Sequence, residues 1–327
     1  ARARLLLGDA AAAATTAQEG LDAVNAREVA PRALLQATLG LAKLALGLGP
    51  AGIAALREAL DGLQRAADLD ATVRCLQDLA AASQAEGQVA DARRYLNRGL
   101  QIASRLGDRQ MLSDLMDTLG DLELGAGDVA RARECFAKAL EAHRDEQDRQ
   151  GEGQALVKLA DACMRGGDPE AAQKHLLEAL MALEEAGMRP ALAEAYRLMA
   201  RMKVDQLRYR EALALLERAG NLAREVGRPE VYGALLRETA EVHAGLDRMD
   251  DAVAWARRAA ETLGAVSAPV ELGRAHALLA RLLAESGRLE EAQDAAIEAR
   301  KLFAAAGAAA DSERFAPLAA MLLAGRR

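Results

Sequence analysis

The chain has 327 residues, of which 51% are hydrophobic but only 2% aromatic, and it carries a formal net charge of −7. That acidic balance argues against a nucleic-acid binder, which usually presents a basic face. Cys75, Cys135 and Cys163 are odd in number and far apart, which excludes a disulfide framework or a CxxC metal site and predicts a reducing, cytoplasmic location. The abundant Ala, Leu, Arg and Glu lose little on entering a helix, whereas strand formers are scarce. The composition therefore predicts an all-α chain.

The opening residues do not show the pattern of a secretory signal. From Asp9 to Asn25 the sequence reads as a helix. The most apolar stretch, Leu39 to Leu56, contains Lys43, Pro50 and four glycines, so membrane insertion is not expected. From there a turn recurs every 40 residues: Gly47-Leu48, Gly87-Gln88, Gly127-Asp128, Gly167-Asp168, Leu207-Arg208, Asp247-Arg248 and Gly287-Arg288. A small residue follows each turn by five positions, from Gly52 and Ala92 through Ala292. Another precedes it by seven, from Gly40 and Ala80 through Ala280. Small residues at these two points allow two antiparallel helices to approach closely.

The helix after each turn carries an apolar stripe, for example Ala172, Leu176, Ala179, Leu180 and Leu183, which is one helical face. A single pair cannot hide that stripe, so stability must come from stacking. Asp168, Pro169 and Glu170 form a helix start. Gly107, Gly187, Gly227 and Gly307 mark where second helices stop, with Pro190, Pro229 and Pro269 soon after in three units.

The pattern Leu119-Gly120…Gly127-Asp128…Ala132 and Leu159-Ala160…Gly167-Asp168…Ala172 resembles the tetratricopeptide repeat. Its lengthened 40-residue unit is similar to those of kinesin light chain, the Leu-Gly-Asn adaptors and the sensor of the maltose-regulon activator. The resemblance implies a right-handed α-solenoid of antiparallel helix pairs, a single array over residues 1–327. Residues 1–32 would be a partial first unit, Ala33 to Ser312 seven full units, and 313–327 a terminal helix, read equally as a cap or a truncated repeat. The incomplete units and the missing initiator Met suggest a piece of a longer protein. The family's aromatic positions are mostly absent here, so the resemblance does not fix a subfamily.

No GxxxxGK[ST], GxGxxG or GxSxG motif appears. His143, His175, His243 and His276 have no partner at metal-ligand spacing. Neither a catalytic activity nor a metal or cofactor is expected. In the resembled family the ligand-facing residues lie on the first helix of each unit. Carried over, that face offers Asp114, Asp117 and Asp121, then Arg165 one position beyond the family phases, then Arg197, Arg201, Arg237, Arg274 and Arg281. Arg197 and Arg201 are four residues apart, and the three aspartates three and four apart, so each set shares a helical face.

These features predict a protein–protein interaction module of a bacterial regulatory or scaffolding protein. Its partner would be an acidic or mixed-charge peptide or a folded regulator, not a nucleic acid, and self-association through the array ends remains open. A small-molecule sensor is the alternative. It needs aromatic platforms and convergent polar groups, and the chain has one Trp, four Tyr and three Phe, with Trp255 phased onto a second helix. A passive spacer or self-assembly element is the third reading.

Overall fold

The computed structural model describes residues 4–5, 8–25, 27–266 and 268–324. Among these it holds sixteen α-helices and no strand. Helix α1 (Ala10–Ala23) is followed by helices that form six antiparallel pairs, in two runs of three. The first three are α2 (Val29–Ala45) with α3 (Gly49–Arg65), α4 (Leu69–Ala85) with α5 (Val89–Leu106), and α6 (Arg109–Gly125) with α7 (Val129–Asp145), followed in the chain by α8 (Arg149–Arg165) and α9 (Pro169–Glu185). The pairs continue as α10 (Arg189–Asp205) with α11 (Tyr209–Glu225), α12 (Pro229–Gly245) with α13 (Met249–Gly264), and α14 (Pro269–Glu285) with α15 (Leu289–Ala305). Helix α16 (Ala309–Leu323) follows. The fold is an all-α solenoid of helix pairs.

The repeat length follows from the turn. A typical helix has 17 residues, and the connection between α2 and α3 is Leu46-Gly47-Leu48. Its middle residue is left-handed, with φ 77° at Gly47. The Leu48 N–H then donates back to the Lys43 carbonyl at 2.9 Å, closing a Schellman motif. Leu48 is also the N-cap of the next helix. Where that position is aspartate, as at Asp68, Asp108, Asp128, Asp148 and Asp168, its side chain accepts the N–H three residues on. One turn thus ends one helix and starts the next every 20 residues, and two such steps make the 40-residue period. The left-handed position is glycine at most turns but Ala67, Gln147, Leu207 and Asp247 at four.

The small residues lie where the pairs cross. Ala92, Ala132, Ala172, Ala212, Ala252 and Ala292 are fully buried, as are Ala160, Ala240 and Ala280. In the first pair both positions are glycine. A methyl on Gly52 would meet the Leu44 side chain at 2.6 Å and the Gly40 carbonyl at 2.9 Å. On α16 the buried small residue is Ala319, whereas Ala320 is exposed. Position 320 is where a second helix would press, and no described helix does so.

The chain forms two compact units, Ala1–Gly167 and Asp168–Arg327. Within each, first helices of successive pairs touch one another: α2 with α4 and α6 with α8 in the first, α12 with α14 and α14 with α16 in the second. This places the first helices on the inner side of each stack.

Candidate functional site

In the first unit the aspartates of α6 meet a lysine of α8. Lys158 Nζ lies 2.8 Å from Asp121 and 3.7 Å from Asp117, and also 5.7 Å from the centre of the Phe136 ring. Asp114 is exposed. Asp117 is the half-buried member, and its Oδ1 has no hydrogen-bond partner. Burial raises its pKa; Lys158 and His143 oppose the shift, while Asp121 and Asp114 add to it. Arg165 reaches Asp161 at 2.8 Å along its own helix.

In the second unit the arginines form a ladder across the first helices. Arg197 on α10 pairs with Glu194 at 3.0 Å and with Glu238 on α12 at 3.2 Å. Arg237 meets Glu241 at 3.4 Å and Glu271 on α14 at 3.8 Å. Arg274 bonds Glu271 and grips both carboxylate oxygens of Asp311 on α16, at 2.9 and 3.0 Å. Arg281 contacts Glu285 on its own helix at 3.3 Å, and Arg201 is an exposed residue of α10. Burial pushes the Glu238 pKa up, against Arg197 and Arg237. The Asp311 pKa is held down, chiefly by the hydrogen bond from Arg274.

The family phases placed these charged residues on first helices but did not show that Lys158 faces the aspartates in the first unit, or that Glu238 and Asp311 complete the ladder in the second. The missed signal is a spacing. Asp117–Lys158 and Arg197–Glu238 are 41 residues apart, and Asp121–Lys158 and Arg274–Asp311 are 37 apart. Opposite charges one repeat apart, plus one or minus three, face each other across adjacent first helices. A further pair lies off this face: Arg93 on α5 makes two hydrogen bonds to Glu123, whose side chain is 3% exposed. Among the described residues, no group of three or more His, Cys, Asp or Glu is placed to hold a metal ion, and no helix is long and apolar enough to cross a membrane.

Stacked antiparallel pairs with small crossing residues and a shared Schellman turn define an α-helical repeat fold. Residues 78–145 match the family model described as tetratricopeptide repeat. Among solved structures the fold is similar to yeast Tom70, with a TM-score of 0.70 and 16% identity, over 98% of this chain and 60% of that one. It is similar to a signal-transduction ATPase with a tetratricopeptide repeat sensor from Pyrococcus horikoshii, at TM-score 0.65 and 17% identity, over 87% of this chain and 44% of that one. The apo quorum sensor NprR from B. thuringiensis superposes at TM-score 0.59 and 15% identity, over 94% and 91%. At these identities the likeness is one of fold, and this chain spans less than half of the Pyrococcus protein. No curated protein matches the sequence.

Proposed function

We propose that the chain is a cytoplasmic protein-interaction module that takes an acidic or mixed-charge segment along the first-helix face of its second unit. The observation that carries this reading is the arginine ladder. Five arginines, Arg197, Arg201, Arg237, Arg274 and Arg281, lie on three consecutive first helices. Several of their carboxylate partners are solvent-accessible: Glu194, Glu241 and Glu285 are each 40% exposed or more. Such surface pairs contribute about 0–1 kcal/mol each, so a ligand carboxylate can replace them at small cost. Arginine suits the exchange because its fork meets carboxylates bidentately. In the first unit, Asp114, Asp117, Asp121 and Arg165 would offer a mixed-charge face to the same kind of partner.

The test is capture from a lysate of the source organism by wild type and by an Arg197→Glu, Arg201→Glu variant. A protein held by wild type and lost by the variant supports the reading. A protein held equally by both moves the site off this face. Sensing is the second reading, supported by two fold neighbours described as sensors and by a cavity on the opposite side of the second unit.

A further inference from the structure

A cavity of about 360 Å³ opens between α11, α12 and α13, away from the first-helix ladder. Its origin is a break in the repeat. At the phase of Gly220 the four preceding units carry Leu60, Leu100, Leu140 and Leu180. At the phase of Thr239 the preceding units carry Leu39, Leu79, Leu119, Leu159 and Met199. Both departures fall on the lining of this one cavity. Two large apolar side chains are thus missing from one place, and Tyr232 refills only part of it: a methyl on Gly220 would lie 3.4 Å from its ring.

What surrounds the space differs from the leucine-rich packing elsewhere. Leu216, Leu235 and Leu236 make a buried floor. Trp255, the single tryptophan of the chain, and Tyr232 supply half-buried aromatic walls. His243 stacks on Trp255 with ring centres 6.1 Å apart, and burial lowers its pKa, against Asp251. Arg224 and Arg258 stand at the exposed rim, 5.8 Å from the Tyr232 ring centre and 5.2 Å from that of Trp255. Among the described residues neither forms a salt bridge; each lies over an aromatic ring instead. Glu217 is the one rim carboxylate, leaving the lining one positive charge in excess.

We propose that this cavity is a binding site for a small organic anion with a flat aromatic body. The ring would lie against Trp255 and Tyr232 over the leucine floor, and the anionic group would meet Arg224 and Arg258. The volume sits at the low end of small-molecule pockets. Guanidinium groups held over aromatic faces are already oriented, so an incoming anion needs little side-chain ordering to bind them. The site does not depend on the peptide reading of the first-helix face.

The probe is 1-anilinonaphthalene-8-sulfonate, an aromatic monoanion, titrated into the chain while energy transfer from Trp255 is followed. N-phenyl-1-naphthylamine, which lacks the sulfonate, is the neutral control. The expected result is saturable one-to-one binding of the sulfonate and weaker binding of the control. Arg224→Gln with Arg258→Gln should weaken the sulfonate about tenfold or more and leave the control unchanged. Gly220→Leu with Tyr232→Leu should abolish both. That filling variant restores residues found at the same phases in neighbouring units, at Leu180 and Leu192, and its fold is checked by circular dichroism. If it does not fold, the arginine variant alone decides. No saturable binding, equal affinity for the neutral control, or indifference to the arginine variant would overturn the proposal.

Discussion

A methyl group on Gly120 would lie 2.4 Å from the edge of the Phe136 ring. The two residues are a matched departure from the repeat. Five other units carry alanine at the first position, Ala80, Ala160, Ala200, Ala240 and Ala280, and none carries an aromatic at the second. Phe136 is fully buried, so the ring has no free space to move into. Gly120→Ala should cost about 1–3 kcal/mol, as overpacked core sites do. Phe136→Leu in the same chain should recover most of that loss, because it restores the Ala–Leu pairing of Ala160 and Leu176. Urea unfolding of the two single variants and the double variant checks this. Additive losses would mean that the two sites are independent.

Leu207 holds a left-handed backbone, φ 59°, and is 72% exposed. At the same place in the preceding connection Gly187 has φ 66°. An L-residue in this conformation costs roughly 1–2 kcal/mol, part of which glycine gives back through its more flexible unfolded chain. Leu207→Gly should therefore stabilise by about 0.5–1 kcal/mol and raise the melting temperature. Gly187→Ala should lower it by a similar amount. Asp247→Gly should gain less than Leu207→Gly, since a short polar side chain tolerates this conformation better.

Burial raises the pKa of Asp117 above its ordinary value, so between those two values the folded chain binds more protons than the unfolded one. In that window this group makes the protein more stable as pH falls and less stable as pH rises. Asp117→Asn removes the dependence. The variant should be the more stable form at pH 7, with its advantage shrinking as pH drops toward the ordinary carboxylate range. Paired melting curves across that range read the difference. A variant less stable at pH 7 would mean that the Lys158 contact outweighs the cost of burial.

Burial pushes the Cys75 thiol up to about 12, with Asp78 adding to it, and the Cys135 thiol up to about 11, with Glu123 and Glu134 adding. Cys163 is fully buried. Neither Cys75 nor Cys135 is a thiolate at pH 8, and all three cysteines are buried. An aromatic disulfide reagent should therefore react in the native state only at the rate of local opening, and with all three in urea. A fast native phase would show that a helix pair is open.

The helices, their pairing and the 40-residue period were legible in the sequence by itself. Each is set by local physics repeated without insertion: a left-handed residue at the turn, a cap beside it, and a small residue where two helices cross. Gly187, Asp168 and Ala172 carry that information within a few positions of where it acts. Tertiary structure decided what the charges and the exceptions do. Arg197 and Arg274 find Glu238 and Asp311 on the next first helix, a relationship fixed by how adjacent pairs rotate against each other and invisible along any one helix. The cavity needed three helices at once. Gly220, Tyr232, Thr239 and Trp255 are unremarkable singly, and only packing brings these four departures from the repeat around one space, because side-chain volume is shared between neighbours and not along the chain.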